Sequence, residues 1–143
     1  MKTIKQLMSS PVVMATVETT VGKLRELMNQ HDVGAVPITD EGAGANAEIM
    51  GIVTDTDLRN VKDSTLPVMS VMSTKLCYIN NDDSTATAAN LMLKNGIHHL
   101  LVKDQEKVVG ILSSVDLLKL VASKPFSFQP HLFFVVSSLG KFS

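Results

Sequence analysis

The chain contains no tryptophan, one tyrosine and one cysteine, and its 13 basic residues are offset by 14 acidic ones. Each shortage closes off a class of protein. A formal charge of −1 leaves no field to draw in nucleic acid or an acidic membrane surface. With so few aromatics there is no basic groove interleaved with stacking rings, as single-stranded nucleic acid requires. The lone Cys77 forms no internal disulfide and completes no zinc or redox motif. It lies in an apolar, strand-like run and reads as a small core residue. No hydrophobic run approaches the roughly 20 residues of a membrane span, and Met1 to Met8 has no apolar stretch for export. The expectation is a soluble cytoplasmic protein that binds neither nucleic acid nor membrane.

Catalytic groupings are missing too. No nucleophile stands with a base and an orienting partner, and no Walker-type phosphate loop occurs. His98 and His99 are adjacent in a predicted strand, so their side chains leave opposite faces and do not chelate one metal together. Asp55 and Asp57 suit, at most, a metal already carried by a phosphate. The sequence therefore points away from an enzyme.

What is present is a duplication. Gly51-Ile52-Val53-Thr54-Asp55-Thr56-Asp57-Leu58 returns as Gly110-Ile111-Leu112-Ser113-Ser114-Val115-Asp116-Leu117. Upstream, Met8-Ser9 falls on Met72-Ser73, Leu24 on Ala88, Met28 on Met92, Val36 on Leu100 and Asp40 on Asp104, all 64 residues apart. At the closing Asp the separation has dropped to 59, because the first copy carries an extra loop from Gly42 to Ala47. The 143 residues thus divide into half-units at 1–62 and 63–124, followed by a tail at 125–143.

Each half reads as a short helical lead-in, then β-α-β-β-α. In the first, Pro11 to Ala15 is a brief strand. Thr19 or Thr20 caps a helix whose apolar face is Val21, Leu24, Leu27 and Met28. Val33 to Thr39 and Ile49 to Val53 are strands, and a helix begins at Thr54. In the second, Leu76 to Ile79 is the brief strand and Asp83 or Ser84 the cap. Gly96 stops the helix, because it accepts the left-handed conformation without a Cβ clash. Ile97 to Val102 and Val108 to Leu112 are strands, and Ser113 opens the last helix. Neither half buries a sheet alone, so an α/β (α+β) fold is expected, with the two units packed sheet to sheet about a pseudo-two-fold axis. All five phenylalanines (Phe126, Phe128, Phe133, Phe134 and Phe142) lie in the tail. Leu132 to Val136 is apolar enough to pack on its own domain or, the favoured option, on a neighbouring subunit.

The duplicated Thr-x-x-Asp and Ser-x-x-Asp corners have two readings. Both match a helix-capping box, although that motif prefers Glu or Gln at the fourth position. The same residues also suit a nucleotide. A strand-to-helix corner offers amides and a hydroxyl to a phosphate, and an ionised Asp accepts both protons of a ribose diol. The strand ends Ala35-Val36-Pro37 and His99-Leu100-Leu101, with the short strands near Ala15 and Ile79, are candidates for a flat apolar slot around the base.

Taken in order, these motifs resemble a tandem pair of cystathionine-β-synthase (CBS) domains, a Bateman module, from about Ile4 to Val121. The resemblance implies a regulatory module for AMP, ADP, ATP or S-adenosylmethionine, without a resident cofactor. It implies a homodimer that reports to an unidentified enzyme or transporter. Asp57 and Asp116 would hold ribose, and Thr54 and Ser113 phosphate. Thr56 and Val115 stand where the family often has Arg. Arg59 is expected to substitute for it in the first site, which is therefore expected to take the more charged nucleotide. A scaffolding module without a ligand is the alternative.

Overall fold

The computed structural model describes residues 2–40 and 47–122. Most of the extra loop and all of the Phe-rich tail, with the expectations attached to them, lie outside the described residues. The first half comprises α1 (Ile4–Leu7), β1 (Ala15–Thr16), α2 (Val21–His31), β2 (Ala35–Thr39), β3 (Ile49–Thr54) and α3 (Asp55–Leu58). A 3₁₀ turn at Val68–Ser70 leads into β4 (Tyr78–Asn80), α4 (Thr85–Asn95), β5 (His99–Asp104), β6 (Lys107–Ser113) and α5 (Ser114–Leu118).

The helix ends follow local chemistry. Thr20 Oγ1 accepts from the Lys23 amide and Ser84 Oγ from the Thr87 amide, each filling an orphan donor of the first turn. Gly96 ends α4 at φ 62°, and Asp32 ends α2 in the same left-handed conformation at φ 52°. The short strands are shorter and later than the sequence implies: β1 begins at Ala15 and β4 at Tyr78.

Each half contains a three-stranded sheet, β1-β2-β3 and β4-β5-β6, with the first pair parallel and the second antiparallel. Alternation along the central strands divides their side chains between two layers. Val36 and Ile38 join Val21, Leu24 and Met28 beneath the first helix, and Leu100 and Val102 join Ala88 and Met92 beneath the second. The opposite faces meet in a third cluster, where Ala35 and Ile52 of one sheet pack on Leu101 and Ile111 of the other. Sheet-to-sheet packing is therefore the observed architecture. Leu100 and Leu112, fully buried, each stabilise it by about 2 kcal/mol.

The lead-in segments are exchanged. Ile4 and Leu7 of α1 are buried in the core of the second half, whereas Val68 of the 3₁₀ turn is buried in the core of the first. Hydrogen bonds secure the exchange on both sides. Ser9 and Ile111 trade backbone bonds at 2.9 and 3.1 Å, and Ser73 and Ile52 trade a pair at 2.9 Å.

This exchange accounts for the duplicated Gly and Met. Met8 lies over Gly110 and Met72 over Gly51, closely enough that any Cβ at either glycine would overlap the thioether. At Gly51 the added carbon would also stand 2.8 Å from the Ser73 carbonyl oxygen, which is held in the bridge. A methionine side chain can swing away, but that carbonyl cannot move without breaking the bridge. Gly51→Ala is therefore expected to destabilise by about 2 kcal/mol, and Gly110→Ala by less. Urea unfolding of both variants checks the order.

Candidate functional site

The duplicated corners form the same capping box. Thr54 Oγ1 accepts from the Asp57 amide at 3.4 Å, and Asp57 Oδ2 accepts from the Thr54 amide at 2.8 Å. In the second half Ser113 Oγ accepts from the Asp116 amide at 3.0 Å, and Asp116 Oδ2 accepts from the Ser113 amide at 2.9 Å. Both are complete capping boxes. Asp thus occupies the position that usually holds the longer Glu or Gln. The next amides are also engaged, Asp55 with the Gly34 carbonyl and Ser114 with the His98 carbonyl. Among the described residues this leaves one unbonded amide per corner, at Thr56 and Val115, fewer than a free helix start offers.

Both corners open onto one cavity of about 640 Å³ between the sheets. Thr54, Asp57, Ser113, Asp116, Ala35 and His99 all line it. The pairing register makes the two ends equivalent, with Ala35 opposite Thr54 and His99 opposite Ser113. Neither carboxylate is cut off from the cavity, although Asp116 is only 7% exposed.

The other slot residues lie elsewhere. Val36 and Ala15 belong to the first helix-side core, and Leu100 and Ile79 to the second. Leu101 faces the inter-sheet cluster, and Pro37 is buried further along its strand. None of the six lines the cavity. Val36 and Leu100 fall away because a strand turns adjacent side chains to opposite faces, whereas Pro37 and Leu101 share the face of Ala35 and His99 but lie two residues farther along. The walls are instead Val12, Val13, Val33, Ile52, Ile97 and Ile111. Of these, Val12 and Val13 were accessible from the repeat, since they align with Leu76 and Cys77. Ser9, Ser73 and Lys75 reach the cavity only because the lead-in segments cross over.

Arg59 does not line this cavity. It faces an adjoining hollow with Arg25, Asn29 and Leu58, across a ridge of Asp32, Gly34 and Asp55. At about 100° per helical residue, a position two past Asp57 points to the far side of α3. The first end of the cavity is consequently lined by three carboxylates, Asp32, Asp55 and Asp57, and by the small Gly34 and Ala35. The second end presents His98 and His99 at the positions of Gly34 and Ala35, with Ser114 in place of Asp55. Lys75, missed in the sequence, also lines the cavity and donates at 2.6 Å to the Asn95 carbonyl beside that end. Arg59, expected to help a charged nucleotide at the first end, is thus not on its wall, and the basic residues that line the cavity, His98, His99 and Lys75, stand at the second.

The carboxylates differ as well. Both side-chain and backbone bonds to Asp57 land on Oδ2, leaving Oδ1 open among the described residues. Asp116 Oδ1 is held by Lys119 Nζ at 3.1 Å.

The architecture is that of a paired α/β module enclosing a shared cavity, and known proteins share it. Residues 4–64 and 68–123 each match the CBS domain family. A CBS domain-containing protein of Bacillus subtilis, YhcV, is 34% identical over 122 residues, covering 82% of this chain and 84% of YhcV. The inosine-5′-monophosphate dehydrogenase of Methanocaldococcus jannaschii is 25% identical over 119 residues, but the match spans only 23% of that enzyme. A CBS-domain protein from Burkholderia ambifaria superposes with a TM-score of 0.75 at 27% identity, covering 90% of this chain and all of the other. The CBS domain pair of protein MJ0100, in complex with 5′-methylthioadenosine and S-adenosyl-L-methionine, superposes at 0.73 with 23% identity, over 87% of this chain and 98% of its own. The chain belongs to the CBS domain family, as a tandem pair. No helix among its described residues is long and apolar enough to cross a membrane.

Burial, aided by repulsion from His98, pushes the His99 imidazole below its ordinary 6.5, against the opposing pull of Asp55, Asp116 and Asp57. The folded chain therefore binds this proton less readily than the unfolded chain. Stability from this group is complete above pH 6.5 and declines as the pH falls from there to the folded value. His99→Gln is expected to flatten that slope, as thermal unfolding across pH 5 to 8 will show.

Proposed function

We propose that this CBS pair is a regulatory module that senses an adenosine-containing ligand in the cavity between its sheets. The observation that carries the proposal is Asp57. Its Oδ2 completes the capping box, Oδ1 has no hydrogen-bond partner among the described residues, and the side chain lines a 640 Å³ cavity that also has apolar walls. An ionised carboxylate so placed accepts the hydroxyl protons of a ribose diol. Ala35 and Gly34 leave room beside it, and Val33 and Ile52 offer apolar surface to a base. The adenosyl ligands held by the CBS pair of MJ0100 support the same ligand class by similarity of fold.

Charge refines the reading. Asp32, Asp55 and Asp57 make the first end a poor host for a triphosphate and a better one for S-adenosylmethionine, whose sulfonium is cationic, or for an uncharged adenosyl compound. A phosphate fits better at the second end, near His98, His99 and Lys75, with the Ser113 hydroxyl and the Val115 amide as further donors. Ligand binding would signal by favouring one angle between the halves, which requires unequal affinity for the two arrangements. The homodimer and the enzyme or transporter that reads the change are part of this proposal and rest on the family alone.

One observation favours the scaffolding alternative. Both carboxylates already serve a complete capping box, so their recurrence has a purely structural explanation.

Calorimetric titration separates the two. S-adenosylmethionine is expected to bind more tightly than ATP. Asp57→Asn keeps a capping acceptor but loses the charge, and should weaken binding of S-adenosylmethionine roughly tenfold to a hundredfold. Asp116→Asn should weaken it less. Absence of heat with every adenosyl ligand would leave the scaffold as the function.

A further inference from the structure

The two ends of the cavity are fastened by the same backbone bond but filled by different side chains. The Asp55 amide donates to the Gly34 carbonyl at 3.0 Å, and the Ser114 amide donates to the His98 carbonyl at 2.8 Å. Each bond ties the first residue of a corner helix to the residue just ahead of a central strand, and all four residues line the cavity. Between the two pairs, side-chain bulk changes hands. A Cβ at Gly34 would stand 2.8 Å from Asp55 Oδ2 and 3.6 Å from its Cγ, so the carboxylate occupies the room that a side chain at position 34 would need. In the second half the shorter Ser114 leaves that room, and His98 reaches into it, with its Nδ1 3.5 Å from Ser114 Oγ. Backbone conformation does not require glycine at position 34, since among the described residues the one glycine with a positive φ is Gly96. The missing side chain at Gly34 is therefore the counterpart of the carboxylate at Asp55. The trade alters chemistry as well as shape. One end gains a carboxylate, which only accepts hydrogen bonds and attracts cations, and the other gains an imidazole, which can donate to an anion.

We infer that these two pairs, Gly34 with Asp55 and His98 with Ser114, set which ligand charge each end of the cavity accepts. This rests on the adenosyl-ligand reading above and names the residues that choose between such ligands. Asp32 and Asp57 line the same end as Asp55, so exchanging the first pair weakens an acidic surface without removing it. Neither pair belongs to the capping boxes, whose side-chain bonds run between Thr54 and Asp57 and between Ser113 and Asp116. The pairs can thus diverge while the corners that hold Asp57 and Asp116 stay the same.

Exchanging the first pair for the second, Gly34→His with Asp55→Ser, tests it by calorimetric titration of the full chain. Three ligands that share adenine and ribose serve as probes: S-adenosylmethionine, AMP and the uncharged 5′-methylthioadenosine. S-adenosylmethionine is expected to bind roughly tenfold more weakly and AMP roughly tenfold more tightly, as removal of one nearby carboxylate charge predicts. The affinity for 5′-methylthioadenosine should hold. Asp55→Asn keeps the shape of the side chain and needs no repacking around Gly34. It should move the same preference in the same direction by a smaller factor. A preference that neither variant moves would overturn the inference and leave the ligand reading intact. An equal loss of affinity for all three ligands in both variants would mean that the pair acts through shape, and would overturn it too. If the unaltered chain binds none of the three, the ligand reading falls and this inference falls with it.

Discussion

Each half of this molecule is completed by a piece of the other, and everything the cavity offers depends on that exchange. Ile4 and Leu7 enter the second core and Val68 enters the first. The backbone bridges from Ser9 to Ile111 and from Ser73 to Ile52 then lie at the cavity's edge. Gly51 and Gly110 have no room for a side chain because Met72 and Met8 occupy it. A glycine that recurs inside both predicted strands is thus a packing requirement. Neither half would retain its core or its share of the cavity wall alone, so the pair is the smallest unit with a site.

The capping and ligand readings of the two corners are not rivals for the same atoms. A carboxylate has two oxygens, and a capping box uses one. At Asp57 the second stays open, whereas at Asp116 Lys119 takes it. The helix start holds the carboxylate still, and a group already immobilised loses little further entropy when it accepts a ligand hydroxyl. On the proposed reading one residue serves both structure and recognition, and the motif by itself does not distinguish them.

Duplication produces two ends of one cavity, and subsequent substitution has made them different. Gly34 and Ala35 face His98 and His99 across the pseudo-axis, and Asp55 faces Ser114. The consequence is a polarity along the cavity, acidic and lined by small residues at one end, imidazole-bearing at the other. The same divergence runs over the outer surface, where charged positions of the first half are apolar in the second. Pseudo-symmetry is retained where the core demands it and lost where solvent or ligand permits.

Most of the fold was legible along the chain, because it rests on local rules. Thr20 and Ser84 cap, Gly96 stops a helix, and a helical period gives way to a strand period at equivalent places in both halves. Of the cavity lining, the sequence named the residues of the duplicated corner, Thr54, Asp57, Ser113 and Asp116, with Ala35 and His99 one strand away. Val36, Leu100, Ala15 and Ile79, named with them, do not line it, since a strand turns neighbouring side chains to opposite faces and sequence proximity does not say which face meets the cavity. Arg59 failed for the helical version of that reason. Ser9, Ser73 and Lys75 carry no local mark, because their place follows from the crossing of two distant segments. By itself the sequence determined the repeat, the elements and the capping carboxylates, all governed by interactions within a few residues. The tertiary structure alone decided which faces meet, which charges share an end and which carboxylate oxygen stays open, because those depend on contacts between residues far apart in the chain.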